Sequence, residues 1–348
     1  MRSQLVSTVL ISTASLAINT DFVELGSQTS AKQLSLRDAT PETFDSTASS
    51  NIAVYFGRTN ATQRAGLLPL CQDSNINIVV LAFITKIFAG GGYPEIAFDE
   101  LCDEPTTEMR TEGATGLVSC PGLASDIATC QSLGTKILIG IGGQKGNATF
   151  SSPAEAEKGA GMLWNVFGGG LDLNATMKPF GNVTIDGFDV DNETGDGSYY
   201  EDFVAALLAL FRQQSTKKYY LSAAPGCNYP YVGQPLSMLS LVDFVWPQFY
   251  GAPSCNIGSN GFNDSFAGWT GRLDGPKLYL GAPAFAAAVT NGGYEDPVAF
   301  TETILAARSL GRTKFGGVML WDGPYAQLNK DSEGKDYVNV TKSALLQR

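Results

Sequence analysis

The sequence predicts an α/β chain closed into a (β/α)8 TIM barrel, and three observations point there. Eight short β-branched or aromatic runs recur from residue 52 onward, they are apolar on both faces, and amphipathic stretches lie between them. Strands of that kind separated by helices form parallel sheets, and eight in one chain close most naturally into a barrel. With 348 residues, 44% of them hydrophobic and 16% charged, the chain has apolar material for one large core, so a single domain is expected.

The eight expected strands are residues 52–56, 76–84, 136–141, 183–191, 219–224, 243–250, 277–282 and 316–321, with helical patterns over 154–167, 200–212 and 297–310 among the segments between them. An open doubly wound sheet is the competing architecture. Its dinucleotide fingerprint is missing, because Lys145 stands where the last glycine of GxGxxG should follow Gly140-Ile141-Gly142. Trp164 falls on the apolar face of a helix and reads as core. Trp246 stays open, since Pro247 disturbs the strand that should fix its direction.

Residues 1–17 read as a signal peptide: Met1-Arg2, then a mostly apolar stretch from Leu5 to Leu16 with small residues at Ser15 and Ala17. The run is too short and too interrupted for a membrane anchor. Residues 18–50 are rich in Ser, Thr, Asp and Glu and read as a flexible leader, so the catalytic domain is expected over 51–348. A secreted, extracellular chain follows, in keeping with sequons at Asn60, Asn147, Asn174, Asn182, Asn263 and Asn339. Asn192-Glu193-Thr194 also matches a sequon formally, but a strand end inside a barrel is a poor glycan acceptor.

Composition excludes whole classes of chemistry. The chain has no histidine, which removes the Ser-His-Asp triad and every imidazole zinc site. The formal charge of -11 disfavours nucleic acid and anionic membranes as partners. Six cysteines without a CxxC pair make disulfides the expectation over metal ligands, with fifteen pairings open. No metal and no cofactor are expected, and the chain is expected to act as a monomer.

Chemistry concentrates in Asp186-Gly187-Phe188-Asp189-Val190-Asp191-Asn192-Glu193. Strand alternation puts Asp189, Asp191 and Glu193 on one face. If that face is the barrel interior, three carboxyls line up at the C-terminal mouth, where barrel enzymes place their chemistry. Crowded carboxyls drive their pKa values apart, so one holds a proton near neutrality, and the outermost, Glu193, is placed to donate it. A calcium loop counted from Asp189 would need Gly and Glu where Thr194 and Tyr200 stand. A solvated acidic turn is the remaining bland alternative.

These residues resemble the DGxDxDxE signature of glycoside hydrolase family 18, and the likeness runs over nearly the whole chain from residue 51, specifically to class III chitinases of plants and fungi. Supporting stretches are Ala53-Val54-Tyr55-Phe56-Gly57, Leu81-Ala82-Phe83, Ala223-Ala224-Pro225, Gln248-Phe249-Tyr250 and Gly316 to Trp321. The resemblance implies Glu193 as general acid and later base, and Asp191 as the group that orients the substrate's N-acetyl arm. It implies that Asp189 shares a proton with Asp191 and that Tyr250 hydrogen-bonds the acetamido oxygen. Tyr55 and Gln248 would stand nearby, and Trp321 would form the floor of the cleaved sugar's subsite. Chitin or another N-acetylglucosamine oligosaccharide is the implied substrate. The implied reaction is retaining and substrate-assisted, through an oxazolinium ion. Also implied are the pairings Cys71 with Cys130, Cys102 with Cys120 and Cys227 with Cys255.

Four positions depart from that pattern. Gly140 replaces a serine whose hydroxyl supports the innermost aspartate, and Asn192 replaces an apolar residue. Gly251 replaces Asn, and Arg58 replaces Gln at the mouth of the first strand, where it could reach the cleft and restrict the sugars bound. Endo-acting chitin hydrolysis is the expected function. An endo-β-N-acetylglucosaminidase cutting N-glycans and a catalytically silent sugar-binding protein are the alternatives.

Overall fold

The structure, a computed structural model, describes residues 44–58, 66–98, 101–215 and 217–347. The expected signal peptide and the leader as far as residue 43 lie outside the described residues. The strands are β1 (Asn51–Phe56), β2 (Ile78–Lys86), β3 (Glu95–Ile96), β4 (Lys136–Gly142), β5 (Gly187–Asp191), β6 (Tyr220–Ala223), β7 (Phe244–Val245), β8 (Lys277–Pro283) and β9 (Phe315–Trp321). Eight of them pair in parallel in the order β1-β2-β4-β5-β6-β7-β8-β9, and β9 pairs back onto β1, closing the barrel. The short β3 runs antiparallel beside the end of β2, outside the ring.

Helices pack around the outside, among them α1 (Pro153–Phe167), α2 (Tyr200–Phe211) and α3 (Pro297–Gly311). The hydroxyl of Ser152 caps α1 by accepting from the Glu155 amide, and Pro153 opens its first turn. Trp164 of α1 is buried against Phe211 and Tyr219, in the outer core as read from the sequence.

Two cores result from strand alternation. Ile52, Val54 and Phe56 of β1 face the helices, while Ala53 and Tyr55 face the barrel axis with Val80, Leu138, Trp246, Tyr279 and Met319. At the lower end the strands come so close that a Cβ at Gly317 would fall 1.9 Å from the Asn51 carbonyl oxygen, which only glycine permits.

Several expected boundaries shift. The strand expected from 183 begins at Gly187, because Asp186 turns its buried carboxylate aside to accept from the Ile137 amide and Gln131 and to pair with Lys217. The strand expected over 243–250 is regular only at Phe244–Val245, since Pro247 carries no amide for the ladder. Gln248 resumes it as isolated bridges to Gly226 and Gly281. Residues 44–50, expected as flexible leader, are instead placed against the barrel. Phe44 sets its ring edge-on against Tyr220 at 5.3 Å and Phe244 at 6.1 Å, with the Lys136 ammonium over its face. One aromatic in a polar stretch finds the open lower end of the interior core, and that burial outweighs the local composition.

The three disulfides are Cys71–Cys130, Cys102–Cys120 and Cys227–Cys255, the pairing that the resemblance implied. Of the sequons, Asn60 lies outside the described residues. Asn147, Asn174, Asn182, Asn263 and Asn339 are exposed, whereas Asn192 is 1% exposed and closed to a glycan.

Candidate active site

The alternation in β5 turns Phe188 and Val190 toward the helices and leaves Asp189 and Asp191 facing the axis. Asp189 is fully buried. One of its carboxylate oxygens accepts from the Tyr55 hydroxyl at 2.6 Å and the other from Ser222 Oγ at 2.7 Å. Behind Tyr55, the Trp246 indole donates to the same phenol oxygen at 3.1 Å, which settles the direction of that ring as inward. Burial pushes Asp189 up to about 6, against the lowering effect of these hydrogen bonds.

Asp191 lies one step nearer the mouth, 4% exposed. Gln248 Nε2 donates to its Oδ1 at 2.8 Å and to the Ala224 carbonyl at 3.1 Å. Burial, then the charge of Glu193, then that of Asp189 hold Asp191 well above the usual carboxylate range. Charge is therefore what couples the two aspartates here. Glu193, beyond the end of β5, is exposed at the mouth yet crowded enough by protein that desolvation raises it, with a hydrogen bond from Gln248 opposing. A proton retained toward neutrality on the outer pair is the electrostatic result.

Tyr250 opens on the same space. Burial and the charges of Asp191, Glu193 and Asp189 keep its phenol far above its ordinary value, so it is a hydrogen-bond donor at any working pH. Trp321, at the end of β9 and partly exposed, lies edge-on to Tyr55 at 5.4 Å and stacks with Phe83 at 6.1 Å, its indole nitrogen tied to the Ala288 carbonyl at 3.2 Å. Arg58 stands half-buried at the rim, with its guanidinium 3.5 Å from the Ala97 carbonyl beside the β2–β3 pair. The barrel thus gathers Asp189, Asp191, Glu193, Gln248, Tyr250, Tyr55 and Trp321 at one mouth, with Arg58 at its edge.

Sequence reasoning missed Ser222 and Tyr231. Ser222 is in register with Asp189 from β6 and supplies a hydroxyl of the kind absent at Gly140, the partner of Asp189 on β4. A Cβ at Gly140 would sit 2.7 Å from the Phe83 ring, so that side of Asp189 is closed to a larger residue as packed. The alternation Tyr220, Ser222, Ala224 on an inward face was the available signal, because a lone hydroxyl there needs a partner. Tyr231 sits in the loop after β6, and no periodicity pointed to it.

Among the described residues no cluster of His, Cys, Asp and Glu is arranged to hold a metal ion, and no helix is long and apolar enough to cross a membrane. The arrangement can hold and release a proton at the mouth, orient a polar arm between Asp191, Gln248 and Tyr250, and offer Trp321 as an apolar floor.

Known proteins share this fold. Endochitinase 3 of Metarhizium robertsii is 36% identical over 297 residues, covering 84% of this chain and 92% of that protein. A chitinase from Ipomoea carnea has a solved structure that superposes with a TM-score of 0.69 at 30% identity, covering 84% of this chain and 99% of its own. The xylanase and alpha-amylase inhibitor protein XAIP-II of Scadoxus multiflorus superposes equally well, with a TM-score of 0.69 at 27% identity over 85% of this chain and 99% of its own. The family model of the glycosyl hydrolases family 18 matches residues 51–342, and the chain belongs to that family.

Proposed function

We propose that the chain is a secreted endo-chitinase that cleaves β-1,4 bonds between N-acetylglucosamine units with retention of configuration. The observation that carries this reading is Asp189 and Asp191 on the inward face of β5 with Glu193 just beyond its end, the two outer carboxyls held toward the protonated form and bridged by Gln248. Glu193 gives its proton to the glycosidic oxygen as the bond to the anomeric carbon breaks. The substrate's acetamido oxygen forms the new bond to that carbon, making an oxazolinium ion. Asp191 faces the acetamido nitrogen and balances its growing positive charge, and Tyr250 donates to the acetamido oxygen. Glu193, now ionised, takes a proton from water as the water attacks the anomeric carbon and the bond from that carbon to the acetamido oxygen breaks, so the acetamido group is regenerated and the configuration is restored. Trp321 floors the sugar being cleaved, and the buried Tyr55–Asp189–Ser222 set holds the charge beneath Asp191.

The chitinases among its relatives support the substrate class, and three disulfides support passage through an oxidising compartment. The test is incubation with chitin oligosaccharides and with a high-mannose glycopeptide in parallel, with products read by mass. Shortened chitin oligosaccharides are expected. Product from the glycopeptide alone would give the endo-β-N-acetylglucosaminidase reading. Product from neither would give the silent sugar-binding reading, which the likeness to an inhibitor protein keeps in play.

A further inference from the structure

Asn192 faces the other way from the carboxyls, and at 1% exposure it is as buried as a core residue. Its Nδ2 donates to the Gly233 carbonyl at 2.8 Å and to the Asp196 carbonyl at 2.6 Å. Its Oδ1 accepts from the Thr194 amide at 3.1 Å and the Thr194 hydroxyl at 2.8 Å. Gln234 adds a longer contact to the Asn192 carbonyl at 3.4 Å. Gly233 is drawn in so far that a Cβ there would lie 3.1 Å from that same carbonyl and 3.4 Å from Gly195 Cα. An apolar residue at 192 could make none of these side-chain bonds. The segment carrying Glu193 and the loop after β6 are therefore fastened together at one point.

What the fastening holds is Tyr231. Its ring is wedged between two glycines: a Cβ at Gly226 would come within 2.8 Å of one edge, and one at Gly233 within 3.1 Å of the other. Larger residues at either place would push the ring out. The ring stays half-exposed, and its neighbour Val232 is 76% exposed, so a hydroxyl-bearing aromatic and an aliphatic group stand together at the rim. Burial raises the Tyr231 phenol, and the charge of Glu193, followed by that of Asp191, raises it further, which places the phenol in the field of the outer carboxyls. Trp321 belongs to β9, three strands round the barrel from β6.

A proton donor must lie against the glycosidic oxygen, at the border between the sugar retained and the sugar that leaves. In the proposed mechanism Trp321 floors the retained sugar. We propose that Tyr231 forms the leaving-group wall of the cleft and selects the sugar on that side of the cleaved bond, with Asn192 as the positioning residue that holds it there. An aromatic ring with a hydroxyl suits the apolar face and polar rim of a pyranose. The proposal rests on Glu193 being the proton donor.

The experiment compares a chitin hexasaccharide, whose leaving group is a sugar, with an aryl glycoside of chitobiose, whose leaving group is a fluorescent phenol. In Tyr231→Ala, kcat/KM for the hexasaccharide should fall about ten-fold further than for the aryl glycoside, the scale of one lost pocket contact. Tyr231→Phe should show a smaller drop in the same ratio. Asn192→Leu should reproduce the Tyr231→Ala pattern, and the double variant should add little, since both remove one interaction. Equal losses on both substrates, an unchanged ratio, or additive effects would overturn the proposal while leaving Glu193 in its role. Wild-type protein that cleaves neither substrate would overturn the underlying reading, and this one with it. If Asn192→Leu does not fold, the two Tyr231 variants decide the matter.

Discussion

Gln248 Nε2 reaches Asp191 Oδ1 at 2.8 Å and the Ala224 carbonyl at 3.1 Å, so one amide is pinned to the strand wall while it touches the carboxyl row. Its hydrogen bonds favour the charged forms of Asp191 and Glu193 and so oppose the rise that burial imposes on both.

The pH dependence follows with its sign. Under the proposed mechanism activity requires a protonated Glu193 and is lost as pH climbs through its raised pKa. Gln248→Leu removes a bond that favours ionisation, so the pKa rises further and the alkaline limb of the pH–rate profile should move to higher pH. About one pH unit is the scale of one charge-assisted hydrogen bond. A limb that stays put or moves to lower pH would contradict the role given to Gln248.

Glu193→Gln keeps shape and hydrogen bonding but has no proton to give, so the glycosidic oxygen must leave as a poorly stabilised alkoxide. Turnover of chitin oligosaccharides should fall ~10² to 10⁴-fold while binding, measured by calorimetry, persists. Near wild-type turnover would sink the proposed mechanism.

The inward carboxyls were legible in the sequence because they rest on a purely local rule: residues two apart in a strand share a face. The same rule, applied to Tyr220, Ser222 and Ala224, would have found the hydroxyl beneath Asp189, but its importance depends on which strand lies next to which. Tyr231 and Asn192 were not legible as a pair, since the bond between Asn192 and Gly233 spans 41 residues and exists only once the loop has folded back. Phe44 misled for the opposite reason. Its neighbours are polar and aperiodic, and only the closed barrel supplies the site that buries it.

Asp189 makes a stability prediction. Its folded pKa, about 6, lies above the unfolded 3.8, so the folded state holds the extra proton and stability is lost as pH rises from about 4 through about 6. That gap corresponds to ~3 kcal/mol. Asp189→Asn cannot ionise and loses this penalty. Whatever it costs at pH 4 through disturbed bonds to Tyr55 and Ser222, it should be less destabilised at pH 7, by up to ~3 kcal/mol in denaturant unfolding. A cost that is the same at both pH values would argue against a buried, titrating Asp189.

Phe44→Ala should destabilise the fold by ~2 kcal/mol, below the 3–5 kcal/mol of a fully buried phenylalanine because its ring is only half-buried. The measurement is urea unfolding, and kcat should be unaffected, since the ring lies at the far end of the barrel from the mouth. A change within error would mean that the segment merely rests on the floor.

The two strand neighbours of Asp189 support it unequally. Its supporting hydroxyl comes from β6, while the β4 position opposite is glycine with the Phe83 ring pressed against it. A serine at 140 would collide with that ring, and loss of Ser222 would strip the aspartate of a donor. Room for a larger residue at 140 would have to come from the Phe83 ring, which also stacks with Trp321, so the wall behind the carboxyls and the floor of the mouth cannot be altered separately.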